Sequence, residues 1–318
     1  MRSVFFGTPA IAVPALRALA EISELVGVVC QPDRPAGRGL SLAEPAVKQA
    51  ARELGIEAHQ PVKVKNGTLH EWLAERRVEV AVVLAYGRIL PGAVLAAPRV
   101  GCLNLHASLL PKYRGAAPIN WAIVHGEHQT GISLMHMDEG LDTGPVYTEH
   151  RVAIGALETA GELAPRLAEL AADVVRKDVP RVVAGELEAT PQDATQVSFA
   201  PPITREHTRI DWSAPAAAAV NLIRGMAPRP GAHTTLRGKT LRVLSARRAD
   251  EAELCAGAGP LSPGTVTISE RSRIWIATGD GTVELLHAQL EGKKLLAARD
   301  LVNGRALVEG DVLGAGAG

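Results

Sequence analysis

The sequence predicts an α/β chain in two parts: a doubly wound, mainly parallel sheet covered by helices, then a small β-barrel. Three observations carry this. From the N-terminus, apolar strand-like runs alternate with helical runs, the pattern of successive βαβ units. The run Val78 to Leu84, VEVAVVL, is almost continuously apolar, as a strand buried on both faces must be. Beyond about residue 205 helices give way to short β-rich runs separated by glycine and proline.

Taken in order, Ser3 to Phe6 reads as a buried strand, and Gly7-Thr8-Pro9 turns it into a helix carrying Ile11, Leu16 and Leu19. Leu25 to Cys30 is the next strand. A dinucleotide-binding turn would want GxGxxG here, and the chain offers GTPAIA, which argues against a nicotinamide cofactor. Gln31 to Pro45, QPDRPAGRGLSLAEP, is too broken by proline and glycine to continue either element and reads as an irregular loop. It is longer than the roughly 2–6 residues usual for such a connection, as loops that are functional or disordered commonly are; it reads either as a solvated surface loop or, given Arg34 and Arg38 on a glycine-punctuated segment, as a mobile arm presenting two guanidiniums to an anionic partner. Helices follow over Ala46 to Leu54 and Leu69 to Arg76, with a short edge strand at Glu57 to Gln60. The strands Val78 to Leu84 and Val100 to Leu105 should end at one cleft, because open parallel sheets bind ligands outside the carboxyl ends of their strands. Ala117 to His125 is a helix, Thr130 to Met137 and Pro145 to Val152 are strands, and Leu157 to Val175 is a long helix. Residues 1–189 should form the first domain, 190–204 a linker and 205–318 the barrel, with Asp211-Trp212-Ser213 capping its helix.

Composition bounds the function. The chain has 318 residues, enough for two cores, and is 47% hydrophobic and 21% charged. Its formal net charge is zero, so no global field attracts nucleic acid, although residues 205–318 carry 15 basic against 12 acidic side chains. No stretch is long and apolar enough for a membrane span, and a cytoplasmic monomer is expected. The three cysteines are far apart, so neither a disulfide framework nor a metal site is expected.

The chemistry concentrates in GCLNLHASLLPKYRGAAPINW, Gly101 to Trp121. Asn104 and His106 are two residues apart on a strand and therefore share a face. The acidic, glycine-rich loop DEGLDTGP brings Asp142 to the same cleft. An Asn can donate to a developing oxyanion, a His can donate or move protons near neutral pH, and an Asp can orient that His. No GxSxG elbow and no HExxH occur. Oxyanion donors beside a proton shuttle, with no protein nucleophile, suit direct attack by one substrate on a carbonyl of another.

NLHASLLPKYRGAAPINW with the later MDEGLDTG resembles the signature of the tetrahydrofolate-dependent formyltransferases, whose catalytic domain is Rossmann-like. The resemblance implies that Asn104, His106 and Asp142 are catalytic and that 10-formyltetrahydrofolate is the donor. It places the folate pocket at Tyr86, Gly87, Arg88, Ile89 and Leu90, at Ser108, Leu109, Leu110 and Pro111, and at Asp138 and Gly140. Sugar-nucleotide formyltransferases share this central motif, so it leaves the acceptor open. The loop QPDRPAGRG, the FxGTP start and the β-rich C-terminal part resemble the branch of the family whose acceptor is initiator Met-tRNA. That branch implies tRNA contacts from Arg34 and Arg38 and an OB-like, tRNA-binding barrel. Two departures stand out: Leu40-Ser41-Leu42 where lysines often follow GRG, and Pro202 where the linker often has a lysine. A non-catalytic RNA-binding module is the rival from another class, and the intact Asn–His–Asp set argues against it.

Overall fold

The computed structural model describes residues 1–36, 41–249, 261–269 and 271–314. It divides into two compact units, each discontinuous in sequence: residues 1–118, 129–153 and 164–201, and residues 119–128, 154–163 and 202–318.

The first unit is built on a seven-stranded sheet. In chain order its elements are β1 (Arg2–Gly7), α1 (Val13–Ile22), β2 (Glu24–Val29), β3 (Arg34–Ala36), β4 (Ser41–Ala43), α2 (Ala46–Glu53), β5 (Ala58–His59), α3 (Thr68–Glu75), β6 (Val80–Leu84), α4 (Gly92–Leu95), β7 (Gly101–His106) and β8 (Arg114–Gly115). The helix α5 (Pro118–Val124), nearly all of which groups with the second unit, precedes β9 (Gln129–His136) and β10 (Val146–Ala153), and α6 (Ala160–Val183), whose first turn also groups there, and β11 (Phe199–Ala200) come last. The sheet order is β10-β9-β7-β6-β1-β2-β5. From β5 to β7 all neighbours are parallel, while β9 runs antiparallel to both β7 and β10. The chain starts at β1, winds outward through β2 and β5, then returns to the other side of β1 as β6. That reversal is the topological switch at which such sheets open a crevice. The loops on its two sides are tied there, Thr8 Oγ1 donating to the Tyr86 carbonyl at 3.0 Å.

Every residue of β6 is buried, as its unbroken apolar sequence requires. One face packs into a core that includes Val4, Phe6, Val29, Leu69, Leu73 and Val83. Cys30 and Cys102 are buried free thiols, pushed up to about 11 and about 12 by loss of hydration, so neither is a thiolate at neutral pH. Cys255 lies outside the described residues.

Two details here differ from the sequence expectation. The stretch read as an irregular loop holds a two-stranded antiparallel ribbon, β3 on β4, with Arg34 opposite Ala43. Prolines are tolerated there because both strands are edges. The helix expected at Leu157 to Val175 begins at Ala160 and runs on to Val183. A capping box starts it: Glu162 N–H donates to Thr159 Oγ1 at 3.3 Å and Thr159 N–H donates to Glu162 Oε2 at 2.9 Å. Its extension is driven by Val179 and Val182, both buried.

The second unit contains α7 (Ala216–Met226), β12 (Ala232–Leu236), β13 (Lys239–Arg248), β14 (Val266–Ile268), β15 (Ile274–Ala277), β16 (Thr282–Leu290), β17 (Leu296–Ala297) and α8 (Ala298–Asn303). Its strands form an antiparallel sheet, β12-β13-β16-β15-β14, with β17 added to β16. The C-terminal segment links the two ends of that path: Leu313 N–H donates to the Gly264 carbonyl and Gly314 N–H to that of Thr235, at 2.8 and 2.9 Å. The apolar sides of Trp212, Ile223, Leu241, Ile276 and Leu285 make the core. Asp211 is spent on a local turn, accepting from Ser213 N–H at 2.9 Å, and the first N–H of α7 instead donates to Asp280 at 2.7 Å.

Among the described residues no helix is long and apolar enough to cross a membrane.

Candidate active site

Asn104 and His106 stand at the carboxyl end of β7, held in register on both sides. Asn104 lies opposite Val83 of β6 and Met135 of β9, and His106 lies opposite Ser133. Both side chains are buried, at 8% and 5% exposure, so each must find polar partners inside the protein.

His106 Nε2 is 2.8 Å from the carbonyl oxygen of Tyr113. A carbonyl only accepts, so Nε2 carries the hydrogen and Nδ1 faces Asp142, with Asp142 Oδ2 at 3.6 Å. That separation is too long for a full hydrogen bond and leaves Nδ1 room to exchange a proton. Asp142 Oδ2 accepts from the Gly115 N–H at 2.8 Å, and Oδ1 accepts from Asn104 Nδ2 at 3.4 Å. Asn104 thereby commits one of its two amide hydrogens to Asp142. Asp142 has a φ of 52°, a left-handed conformation uncommon for residues with a Cβ and better tolerated by Asp than by most.

The cleft in front of this cluster is lined by Arg88, Ile89 and Leu90 after β6, by Met135 and Met137, and by Asp138 to Asp142. Its cavity volume is about 130 Å³. Asp142 belongs both to this lining and to the polar cluster, which joins the two. Ile89 and Leu141 are 72% and 55% exposed, so the mouth offers apolar side chains to a ligand. Arg88 turns aside and donates to the carbonyls of Pro61 and Val62 at 3.1 and 2.8 Å. Asp138 shapes its own loop, accepting from Gly140 N–H at 3.1 Å and Thr143 Oγ1 at 2.6 Å.

The other sequence-derived positions take different places. Tyr86 points its ring into the core, edge-on to Phe6 at 5.4 Å, and burial pushes its phenol up to about 12. Only its main chain reaches the switch region. The turn Ser108 to Pro111 does not line the cleft. It is pinned down onto β9, Leu110 N–H donating to Ser133 Oγ at 3.1 Å and Ser133 Oγ to the Ser108 carbonyl at 2.7 Å. The second cleft wall comes from the loop after β9 instead. Arg34 opens β3 and donates to Gln31 Oε1, and Arg38 lies outside the described residues.

Several participants carried no sequence signal. Tyr113 and Gly115 act through main-chain atoms, which have no residue-type signature. Gln192, in what reads as a polar linker, donates from Nε2 to the carbonyls of Asp142 and Gly144 at 2.9 and 2.7 Å. Among the described residues no group of three or more His, Cys, Asp or Glu is arranged to hold a metal ion.

The fold and the site define a formyl transferase: residues 1–179 match the family model for formyl transferase, and residues 202–306 that for the formyl transferase C-terminal domain. The methionyl-tRNA formyltransferase of Sorangium cellulosum (strain So ce56) is 56% identical over 99% of this chain and 100% of its own length. That of Myxococcus xanthus (strain DK1622) is 44% identical over 97% and 96%. The chain belongs to the methionyl-tRNA formyltransferase family. In solved structures the same fold recurs in WlaRD, a sugar 3N-formyl transferase crystallised in the presence of dTDP and 5-N-formyl-THF. The TM-score is 0.67 at 18% identity, over 92% of this chain and 99% of that one. HypX from Aquifex aeolicus in complex with tetrahydrofolic acid matches with a TM-score of 0.62 at 19% identity, and this chain spans 48% of it.

Proposed function

We propose that the chain transfers the formyl group of 10-formyltetrahydrofolate to the α-amino group of methionine on initiator Met-tRNA. The observation that carries this reading is the cluster of Asn104, His106 and Asp142 at the inner side of an apolar cleft. The names of the full-length relatives supply the acceptor, and the folate fits the residues present. A flat ring with apolar faces and polar edges suits a cleft lined by Ile89, Leu90, Met135, Met137 and Leu141. Asp138, Gly140 and the main chain of residues 88–90 would hold its edges, with Tyr86, Gly87 and the Ser108–Pro111 turn supporting from behind.

The folate supplies an electrophilic formyl carbon and a nitrogen leaving group. The methionyl nitrogen attacks that carbon, forming the new C–N bond, and the carbonyl oxygen becomes an oxyanion. Asn104 donates its remaining amide hydrogen to it, and His106 donates from Nδ1 once that nitrogen has taken up the proton lost by the amine. The bond to N10 then breaks, and the proton lost by the amine passes by way of His106 or water to N10. Asp142 holds both donors and needs no change of its own. Arg34 and Arg38 serve the tRNA backbone, where phosphate contacts supply much of the affinity. The enzyme is read as a cytoplasmic monomer, which cell fractionation and sedimentation check.

Transfer of labelled formyl from 10-formyltetrahydrofolate tests the reading, with initiator Met-tRNA, elongator Met-tRNA and amino-sugar nucleotides as competing acceptors. Initiator Met-tRNA should be strongly preferred, and preference for an amino sugar would replace this assignment. Asn104→Ala and His106→Ala should each lower turnover by about 10²–10³ with the fold intact. Near-wild-type turnover in either would remove that residue from the mechanism.

A further inference from the structure

We propose that Gln192 is a positioning residue for formyl transfer, acting through Asp142. This rests on the proposed function and extends it to a residue that touches no substrate.

The side chain of Gln192 makes four hydrogen bonds, and their chemistry fixes its orientation. Arg114 donates to Oε1 from Nε and Nη2 at 3.1 and 2.7 Å. A guanidinium has no acceptor, so the oxygen must face it and the NH2 must face away. That NH2 meets the Asp142 and Gly144 carbonyls at 2.9 and 2.7 Å. One amide therefore grips two carbonyls of one turn, the first belonging to the residue whose φ is 52°. The same amide is anchored to Arg114, whose neighbour Gly115 donates its N–H to Asp142 Oδ2 at 2.8 Å. Main chain and carboxylate of Asp142 are thus held through one connected set of bonds.

The segment carrying Gln192 does not need these bonds to stay in place. Thr190 exchanges two main-chain bonds with Val146 at 2.8 and 2.9 Å. Tyr113 N–H donates to Ser198 Oγ at 2.9 Å, and Ala116 and Ala117 N–H both donate to the Ala200 carbonyl. With its backbone secured at both ends, the segment can devote the Gln192 side chain to the Asp142 turn. Loss of the two donors frees that turn to leave the left-handed conformation, which withdraws the carboxylate from Asn104 and His106. A small misplacement of a catalytic group lowers turnover far more than binding.

The test is a double-mutant cycle on the full chain, using labelled formyl transfer to initiator Met-tRNA. Gln192→Glu keeps an acceptor for Arg114 but sets oxygens against the two carbonyls. Its kcat should fall about 10- to 100-fold, with KM for Met-tRNA and for folate within about twofold and the melting temperature near wild type. Added to Asp142→Asn, it should cost no more than about twofold further, because both changes remove one function. A kcat within twofold of wild type, or losses that multiply in the double variant, would overturn the proposal. If Gln192→Glu does not fold, near-isosteric Gln192→Met is read by the same criteria, and failure of both to fold assigns Gln192 to the fold and overturns the role. A wild-type chain that does not formylate Met-tRNA would overturn the functional reading itself, an outcome distinct from an active wild type with an unaffected variant.

Discussion

Asn104 and His106 share a face because a strand repeats every two residues, and that alone made them legible as a pair. Their third partner was legible only as an acidic residue in a glycine-rich loop at the same end of the sheet. The groups that hold the cluster were not legible, because the Tyr113 carbonyl and the Gly115 N–H belong to every residue type alike. Gly115 nevertheless has a strict requirement. Its φ is 120°, and a Cβ there would meet the Ala200 carbonyl oxygen at 2.8 Å. Gly115→Ala should push β8 off β11, with an overpacking cost of about 1–3 kcal/mol, and carry the N–H away from Asp142. Turnover should drop at least about tenfold, the scale of a displaced catalytic group, in a chain that still folds. Unchanged turnover with a lowered melting temperature would show that the Gly115 contact serves stability alone. Gln192 escaped the sequence reading for a different reason: a lone Gln in a polar stretch looks solvated until its four hydrogen bonds are seen.

At the scale of elements, the strands and helices of the parallel sheet were readable because buried parallel strands are apolar throughout and their crossovers are amphipathic. The arm was not. QPDRPAGRGLSLAEP reads as irregular, since prolines break helices and central strands, yet a two-stranded ribbon has only edges and accepts them. Its base is anchored by a network no motif announces. Lys48 donates to both Asp33 oxygens at 3.0 and 2.7 Å, and Gln60 donates to Asp33 and to the Gln31 carbonyl at 2.7 and 2.9 Å. Gln31 Nε2 reaches the carbonyls of Tyr86 and Gly87 at 2.9 and 3.2 Å while its Oε1 accepts from Arg34. One side chain thus connects the arm to the strand end beside the cleft. Gln31→Ala should loosen the arm without touching the cleft residues. At about 1 kcal/mol per lost bond, KM for Met-tRNA should rise about fivefold or more, with kcat at saturation and folate affinity within twofold. An unchanged KM in steady-state assays would detach the arm from acceptor binding.

At the scale of the whole molecule, the shift in pattern near residue 205 was visible, but the two units borrow segments that local pattern cannot apportion. Residues 119–128 and 154–163 group with the C-terminal unit, although an apolar helical stripe such as PINWAIV looks the same whichever core it meets. A closed sheet was expected of a barrel, but the part the residues around Leu313 take in linking its ends was not legible, because a glycine-rich stretch carries no strand pattern. The charge of this unit, unlike its edges, leads to a definite expectation. Glu284 on β16 is almost wholly buried, accepts from Arg273 at 2.6 and 2.9 Å, and meets Arg247 Nε at 2.7 Å. The hydrogen bonds from Arg273, then the attraction of both guanidiniums, hold its carboxyl below the usual carboxylate range. A carboxyl depressed in the folded state contributes stability above its unfolded value of about 4.3 and loses it as pH falls through the folded value. Glu284→Gln leaves two partly exposed guanidiniums without their anion, which costs about 1–3 kcal/mol at neutral pH. The wild-type advantage in thermal unfolding should therefore be full at pH 7, begin to shrink below about pH 4, and be largely gone once Glu284 itself is protonated. A gap in melting temperature that stayed constant from pH 7 to pH 3 would mean that Glu284 stabilises the sheet through packing and not through its charge.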